Sequence, residues 1–346
     1  MKLVVHGTNW IGDAVMSIPA LKTLRQMLPD AEITLYSRRW ASEVFEDCGF
    51  LDRVLVPEAD TSGIFGPVRE SRLWKKQAFD AAVLFPNSFG TALIAKLAGT
   101  PIRIGFANEG RGMLLTEAVP VPDWRSEKHE TYYYLELVKW ASELLDAEFP
   151  SENEIDTSLR VSTERRRKAS AILSNAGVSE NTLVVGLGVG SQNSNAKRWI
   201  PSHFGQLADM INEQYDAGVV LIGSDSEIAT AHEVTGATGA DIVDLTGKTS
   251  VGEAVGVLAE IDLFVSNDMG LAHLASAVGT QTITIFGPTN PTTTSPWKAE
   301  VVRRDDIECA PCHLRECPID HRCMTRIGAT DVFEIVQRKI AESSRR

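Results

Sequence analysis

Asp13 follows Gly7-Thr8-Asn9-Trp10-Ile11-Gly12, directly after an apolar run that ends at His6. The glycine spacing is that of a P-loop, but a carboxylate stands where the phosphate-binding lysine belongs. That carboxylate would repel a phosphate, so a nucleoside-triphosphatase reading fails. Asp13 then either caps the helix that follows or is held ready to accept a proton. A second loop, Gly186-Leu187-Gly188-Val189-Gly190-Ser191, lets backbone N–H groups approach an anion such as a diphosphate. It has Ser191 at the third glycine of the dinucleotide fingerprint, and no acid ends a second strand at the right distance. Hydride transfer is therefore poorly supported. Thr246-Gly247-Lys248-Thr249 has the ending of a P-loop, but Ile242 replaces the opening glycine.

Lys197 and Arg198, in Ala196-Lys197-Arg198-Trp199-Ile200-Pro201, can neutralise a diphosphate or form a solvated pair ahead of a helix. Ser266-Asn267-Asp268-Met269-Gly270-Leu271-Ala272-His273 leaves a strand and enters a helix. Asp268 is expected as its N-cap, with the N–H groups of Met269 and Gly270 as open donors. His273, one turn on, either faces the same ligand or packs within the helix. Phe286-Gly287-Pro288-Thr289 forms a tight turn suited to a rigid wall.

These residues need strands and helices to present them. The chain has 346 residues, 43% hydrophobic and 23% charged, which fits a folded protein of two domains. Short apolar runs alternate with helical stretches, the signature of βαβ units around buried parallel sheets. Strands are expected at 2–6, 32–36, 53–56 and 81–85, with helices over 13–27 and 91–98. A polar stretch at 148–154 reads as a linker, followed by a charged helix over 163–175 closed by Gly177. The alternation then resumes. Strands are expected at 183–187, 218–222, 242–244, 263–266 and 281–286. Helices are expected over 202–215, 226–235, 251–260, 271–278 and 331–342. The fold class is α/β, with Rossmann-like domains at 1–155 and 156–346 facing across a cleft. Strand order is not readable from the alternation.

The balance of 46 acidic against 34 basic residues, net −12, argues against a nucleic-acid partner. No apolar run is long enough to span a bilayer, and the N-terminus reads as a strand entering a turn rather than a signal peptide. The expected compartment is cytoplasmic. Four of five cysteines fall at Cys309, Cys312, Cys317 and Cys323. Their spacing could supply four zinc ligands, but the favoured reading is a reduced, partly buried loop near the acceptor.

Taken in order, Gly12-Asp13, the Lys197–Pro201 motif quoted above, Ser266 to His273 and Phe286-Gly287-Pro288-Thr289 resemble the bacterial ADP-heptose:lipopolysaccharide heptosyltransferases, glycosyltransferase family 9. The resemblance covers nearly the whole chain. Pro86-Asn87-Ser88-Phe89 and Asn195 to Trp199 resemble heptosyltransferase II more than heptosyltransferase I. The resemblance implies a GT-B fold, with an N-terminal acceptor domain and a C-terminal nucleotide-sugar domain. It implies inverting transfer of L-glycero-D-manno-heptose from ADP-heptose to the lipopolysaccharide inner core, Kdo2-lipid A bearing a heptose, with no cofactor and no protein-bound metal. By the same resemblance Asp13 is the catalytic base. Lys197, Glu227, Asp268, Met269, Gly270 and His273 bind the donor, with Gly190 and Ser191 in the diphosphate loop. Glu227 falls on the ribose-binding glutamate. Met269 replaces a threonine of heptosyltransferase I, leaving its backbone N–H to serve.

An acidic acceptor needs local cations. Arg69, Arg72, Lys75 and Lys76 have helical spacing and are the candidate acceptor patch, against a solvated helix face. The protein is expected to act as a monomer, touching the membrane peripherally where its acceptor is embedded. The competing readings are heptosyltransferase I, another family 9 transferase with a different donor, an epimerase, and a non-catalytic nucleotide-binding protein. The intact Asp13 argues against the last.

Overall fold

The computed structural model describes residues 1–57, 63, 65–151, 155–179, 182–192 and 194–343. Residues 152–154 of the expected linker lie outside them. The chain divides into two compact units, Met1–Thr157 and Ser158–Arg346.

The first unit is built on β1 (Lys2–His6), β2 (Glu32–Tyr36), β3 (Arg53–Leu55), β4 (Ala81–Leu84), β5 (Ile102–Phe106) and β6 (Glu117–Val119). They form one sheet in the order β3-β2-β1-β4-β5-β6, with every pairing parallel. The second unit holds β7 (Val184–Gly188), β8 (Gly218–Leu221), β9 (Ile242–Asp244), β10 (Leu263–Asn267), β11 (Gln281–Ile285) and β12 (Glu300–Val302). Its order, β12-β11-β10-β7-β8-β9, is again parallel throughout. Each unit thus repeats the doubly wound Rossmann order. Its switch points fall between β1 and β4 and between β7 and β10, where ligands bind such sheets at the strand C-termini.

The central strands β1, β4, β7 and β10 are buried on both faces, which explains their continuous apolar runs. Strands β5, β6 and β12 escape the alternation reading. Strand β5 carries Arg103 and Gly105 among its apolar residues, and the other two are three-residue strands at the ends of their sheets.

The helix expected over 13–27 is two helices, Ile11–Met16 and Ile18–Met27. Pro19 has no N–H to give to the preceding turn. Ser17 sits at the break, its hydroxyl donating to Ala14 O at 2.8 Å. Helices Gly66–Gln77 and Phe89–Ala98 pack against each other. The closing helix runs Ala329–Ser343 and packs on the second sheet's core, where Val332 and Val336 join Trp199, Phe204, Leu221 and Ile283.

Beneath the first switch point lies an aromatic cluster. The His6 ring meets Tyr36 at 5.2 Å and Trp74 at 5.9 Å between centroids. Burial pushes the His6 imidazole down to about 4, with Arg111 and Arg38 adding to the effect against a hydrogen bond to Gly7. An unfolded histidine titrates near 6.5. Between these values the unfolded chain binds the extra proton, so stability falls as pH falls. His6 contributes about 3 kcal/mol that is present above pH ~6.5 and lost by pH ~4. Urea midpoints measured from pH 7 to 4.5 should fall more steeply for the wild type than for His6→Gln. Parallel curves would remove His6 from the acid response.

Candidate active site

In the second unit the site is assembled around the end of β10. Asn267, fully buried, donates through Nδ2 to Val189 O at 2.8 Å and Gly190 O at 3.0 Å. Its Oδ1 accepts from Trp199 N–H at 2.8 Å. One amide thereby ties the loop after β7 to the Lys197–Trp199 segment. Trp199 anchors that segment in the core, its indole N–H donating to Ile327 O at 2.8 Å. Asn267 belongs to the motif quoted above, but it has no role in the sequence reading. A polar residue closing an apolar strand was the available signal.

Asp268, 6% exposed, accepts at Oδ2 from Lys197 Nζ at 2.7 Å and from the Thr289 hydroxyl at 2.7 Å. Three separate loops, after β7, β10 and β11, thus converge on one carboxylate. Asp268 is not the N-cap expected of it. Met269 occupies that position on helix Gly270–Ala277, and no side chain caps the helix. Asp268 lies one residue too early, and its carboxylate is engaged by the lysine and the threonine. The first turn of the helix therefore keeps its dipole for an anion. His273 is buried within that helix, one turn on from Met269 and Gly270.

The glycine-rich run is corrected in part. Gly186 and Gly188 lie inside β7 rather than in a loop. A Cβ on Gly186 would come within 2.9 Å of Phe264, and one on Gly188 within 2.8 Å of Ser266 and 2.9 Å of the Met269 sulfur. These two glycines serve packing, and the Met269 side chain covers the second. Gly190 and Ser191 form the loop proper. A Cβ on Gly190 would overlap the Glu227 carboxylate, and one on Gly223 would reach its Oε2 at 2.8 Å. Glu227, 3% exposed, is fitted between two glycine backbones. Its Oε2 accepts from Ser224 N–H at 2.7 Å and the Ser224 hydroxyl at 3.1 Å. Arg198 turns back toward the loop, with Nη2 3.4 Å from Ser191 O.

In the first unit Asp13 lies half-buried in the first turn of helix Ile11–Met16. Trp10 holds the N-cap position without a side-chain cap bond, so the capping reading of Asp13 is not what the helix shows. The Asp13 charge reaches Tyr134, whose phenol is pushed far up by burial first and then by Asp13 and Glu130. A polar network missed in the sequence borders the same switch point. Asn87 donates to the Tyr133 hydroxyl at 3.0 Å, and Tyr133 stacks on Phe106 with centroids 4.0 Å apart. Arg125 lies over the Tyr133 ring and grips Glu130, with one N–O distance of 2.7 Å. Burial raises Glu130 despite that partner. Arg111, fully buried, donates to Phe106 O at 2.8 Å, to Asn87 Oδ1 at 3.2 Å and to Pro86 O. Burial lowers its guanidinium to about 10. Arg111 thereby holds the Pro86-Asn87-Ser88 loop at the end of β4.

Arg69, Arg72, Lys75 and Lys76 are exposed on helix Gly66–Gln77. The cysteine loop belongs to the second unit and is fastened to the loops after β7 and β11. Ala196 N–H donates to Arg315 O at 3.0 Å, and His313 N–H to Pro288 O at 2.7 Å. The His321 ring nitrogen lies 2.6 Å from Ala196 O. All four of its cysteines are unpaired, with Cys309 and Cys312 exposed and Cys323 buried. Burial, then the neighbouring thiols, pushes Cys323 up to about 11. Among the described residues no group of three or more His, Cys, Asp or Glu side chains is placed to hold a metal ion. Two cations near this loop are paired, Arg322 with Asp320 at 2.9 Å and Arg326 with Asp306 at 2.8 Å.

Residues 70–322 match the model of glycosyltransferase family 9 (heptosyltransferase). The chain is 26% identical over 341 residues to a lipooligosaccharide heptosyltransferase 2 of Campylobacter jejuni, covering 96% of this chain and 97% of the relative. It is 29% identical to a lipopolysaccharide heptosyltransferase 2 of Salmonella typhimurium over 88% of each chain. The solved structure of the Escherichia coli ADP-heptose lipopolysaccharide heptosyltransferase II superposes with a TM-score of 0.83 at 25% identity, covering 99% of this chain and 100% of that one. The family match over residues 70–322, with relatives and a solved structure aligned along nearly the whole chain, places this protein in glycosyltransferase family 9, the heptosyltransferases.

Proposed function

We propose that this enzyme transfers L-glycero-D-manno-heptose from ADP-heptose to the heptose already present on the lipopolysaccharide inner core. The first unit takes the acceptor and the second the nucleotide sugar. An acceptor hydroxyl oxygen attacks the anomeric carbon of the donor heptose from the face opposite ADP. The bond from that carbon to the diphosphate oxygen breaks, and the configuration inverts. Asp13 takes the hydroxyl proton as general base.

The departing diphosphate gains negative charge. Lys197 and the uncapped start of helix Gly270–Ala277 are the groups to stabilise it. Glu227, with Oε2 held by Ser224, accepts from the ribose hydroxyls. His273 closes the donor side from within the helix. Arg69, Arg72, Lys75 and Lys76 hold the acidic core sugars. The observation that carries this reading is the convergence of Lys197 and Thr289 on Asp268 beside the Gly190 loop. It supports an anion site at a Rossmann switch point.

No described helix is long and apolar enough to cross a membrane. The reading places a monomer at the cytoplasmic face, meeting its acceptor peripherally, with no cofactor. Mass spectrometry of ADP-heptose mixed with core acceptors tests it. A gain of one heptose is expected on the acceptor that already bears heptose, and none on Kdo2-lipid A alone. Transfer onto Kdo2-lipid A would make it the first heptosyltransferase. Transfer only from another nucleotide sugar would overturn the donor.

A further inference from the structure

Helix Gly66–Gln77 has an outward side of unusual composition. Phe65, Val68, Arg69, Arg72, Lys75 and Lys76 fall at i, i+3, i+4, i+7, i+10 and i+11, which is one helix face. All six are exposed, and Phe65 is 70% exposed. The opposite face carries buried Ser71 and Trp74. The helix has one acid, Glu70, and its carboxylate is turned aside to accept from the Tyr36 hydroxyl at 2.6 Å. The outward stripe is thus apolar at its head and cationic along its length, in a chain of net charge −12.

We propose that this face of the first unit rests on an anionic lipid bilayer. Phe65 and Val68 enter the headgroup layer, and the four cations, which hold the core sugars of a bound acceptor, lie against lipid phosphates when none is bound. Core sugars alone would account for the cations but not for the apolar tips. Those tips gain by leaving water for acyl chains, as on interfacial amphipathic helices. A second copy of the chain fits less well, because a twofold contact would set the same cations against each other. The proposal rests on the proposed function for the lipid-anchored acceptor that gives it a purpose, but the vesicles that test it carry no acceptor.

The full chain is sedimented with vesicles of phosphatidylethanolamine and phosphatidylglycerol, without glycolipid or ADP-heptose, and with phosphatidylcholine vesicles as control. It should bind the anionic vesicles, not the neutral ones, and be released by salt. Arg72→Glu with Lys76→Glu should weaken binding about a hundredfold or more. Phe65→Ser with Val68→Ser should weaken it about tenfold, with an unchanged urea midpoint and unchanged transfer to a delipidated, water-soluble acceptor. No binding to anionic vesicles, equal binding to neutral ones, or binding untouched by either pair overturns the proposal. Self-association lost in the Phe65 and Val68 variant would assign the face to a second copy instead. Vesicle binding that persists while no acceptor is glycosylated would sink the proposed function and leave this surface standing.

Discussion

Asp13→Ala lowers the rate of heptose transfer by about 10²–10⁴-fold, while ADP affinity stays within about twofold of wild type. The range is that of a lost general base. The split between rate and affinity follows from location. Asp13 lies in the first unit, in the first turn after β1, and the Lys197–Asp268–Thr289 cluster belongs to the second. Asp13→Asn is the stricter variant, because it keeps the shape and removes the basicity. It should be as slow as the alanine form. Turnover near wild type in either variant would remove Asp13 as the base. Loss of ADP binding along with activity would point to misfolding, which the urea midpoint would reveal.

Lys197→Met should cost about 10²–10³-fold in kcat/KM for the donor, the magnitude seen when a group stabilising transition-state charge is removed. Lys197 and Asp268 form one ion pair at 2.7 Å, with side chains 27% and 7% exposed. Removing the lysine therefore leaves a nearly buried carboxylate held by the Thr289 hydroxyl. Part of the loss then comes from Asp268, not from the diphosphate. A cycle of Lys197→Met, Asp268→Asn and the double variant separates the two. If the pair acts as a unit, the double variant is scarcely worse than Lys197→Met alone. Strict additivity would mean that the pair is incidental. An unchanged ADP Kd together with an unchanged rate in Lys197→Met would take the lysine out of the donor site.

Much of the candidate site can be proposed from the sequence because its chemistry is local. A carboxylate in the first helical turn after β1, a cation ahead of a helix, and small residues at a strand end are all readable from residue types within a few positions. Other features depend on what lies opposite in space. Gly186 and Gly188 looked like loop glycines, yet Phe264, Ser266 and Met269 leave no room for a side chain at either position. Gly190 needs to be glycine because Glu227, thirty-seven positions later, occupies the space. The aromatic and arginine network around Asn87, Tyr133, Arg125 and Arg111 joins residues 86 to 133 and has no local signature. The cysteine loop has a conspicuous spacing, but spacing says nothing about its neighbours. Its bonds to Ala196 and Pro288 place it by the loops after β7 and β11.

By itself the sequence determined the α/β class, the two halves, the elements that carry the site and the charge that its ligands must overcome. These follow from periodicity and composition, which are properties of neighbours along the chain. Only the tertiary structure decided strand order, and with it the two switch points. Only it showed that Asp268 pairs with Lys197 and Thr289 rather than capping its helix, and that Asn267 clamps two loops. The physical reason is that a buried polar group must find a partner, and that partner is chosen by proximity in the folded chain, not by distance along it.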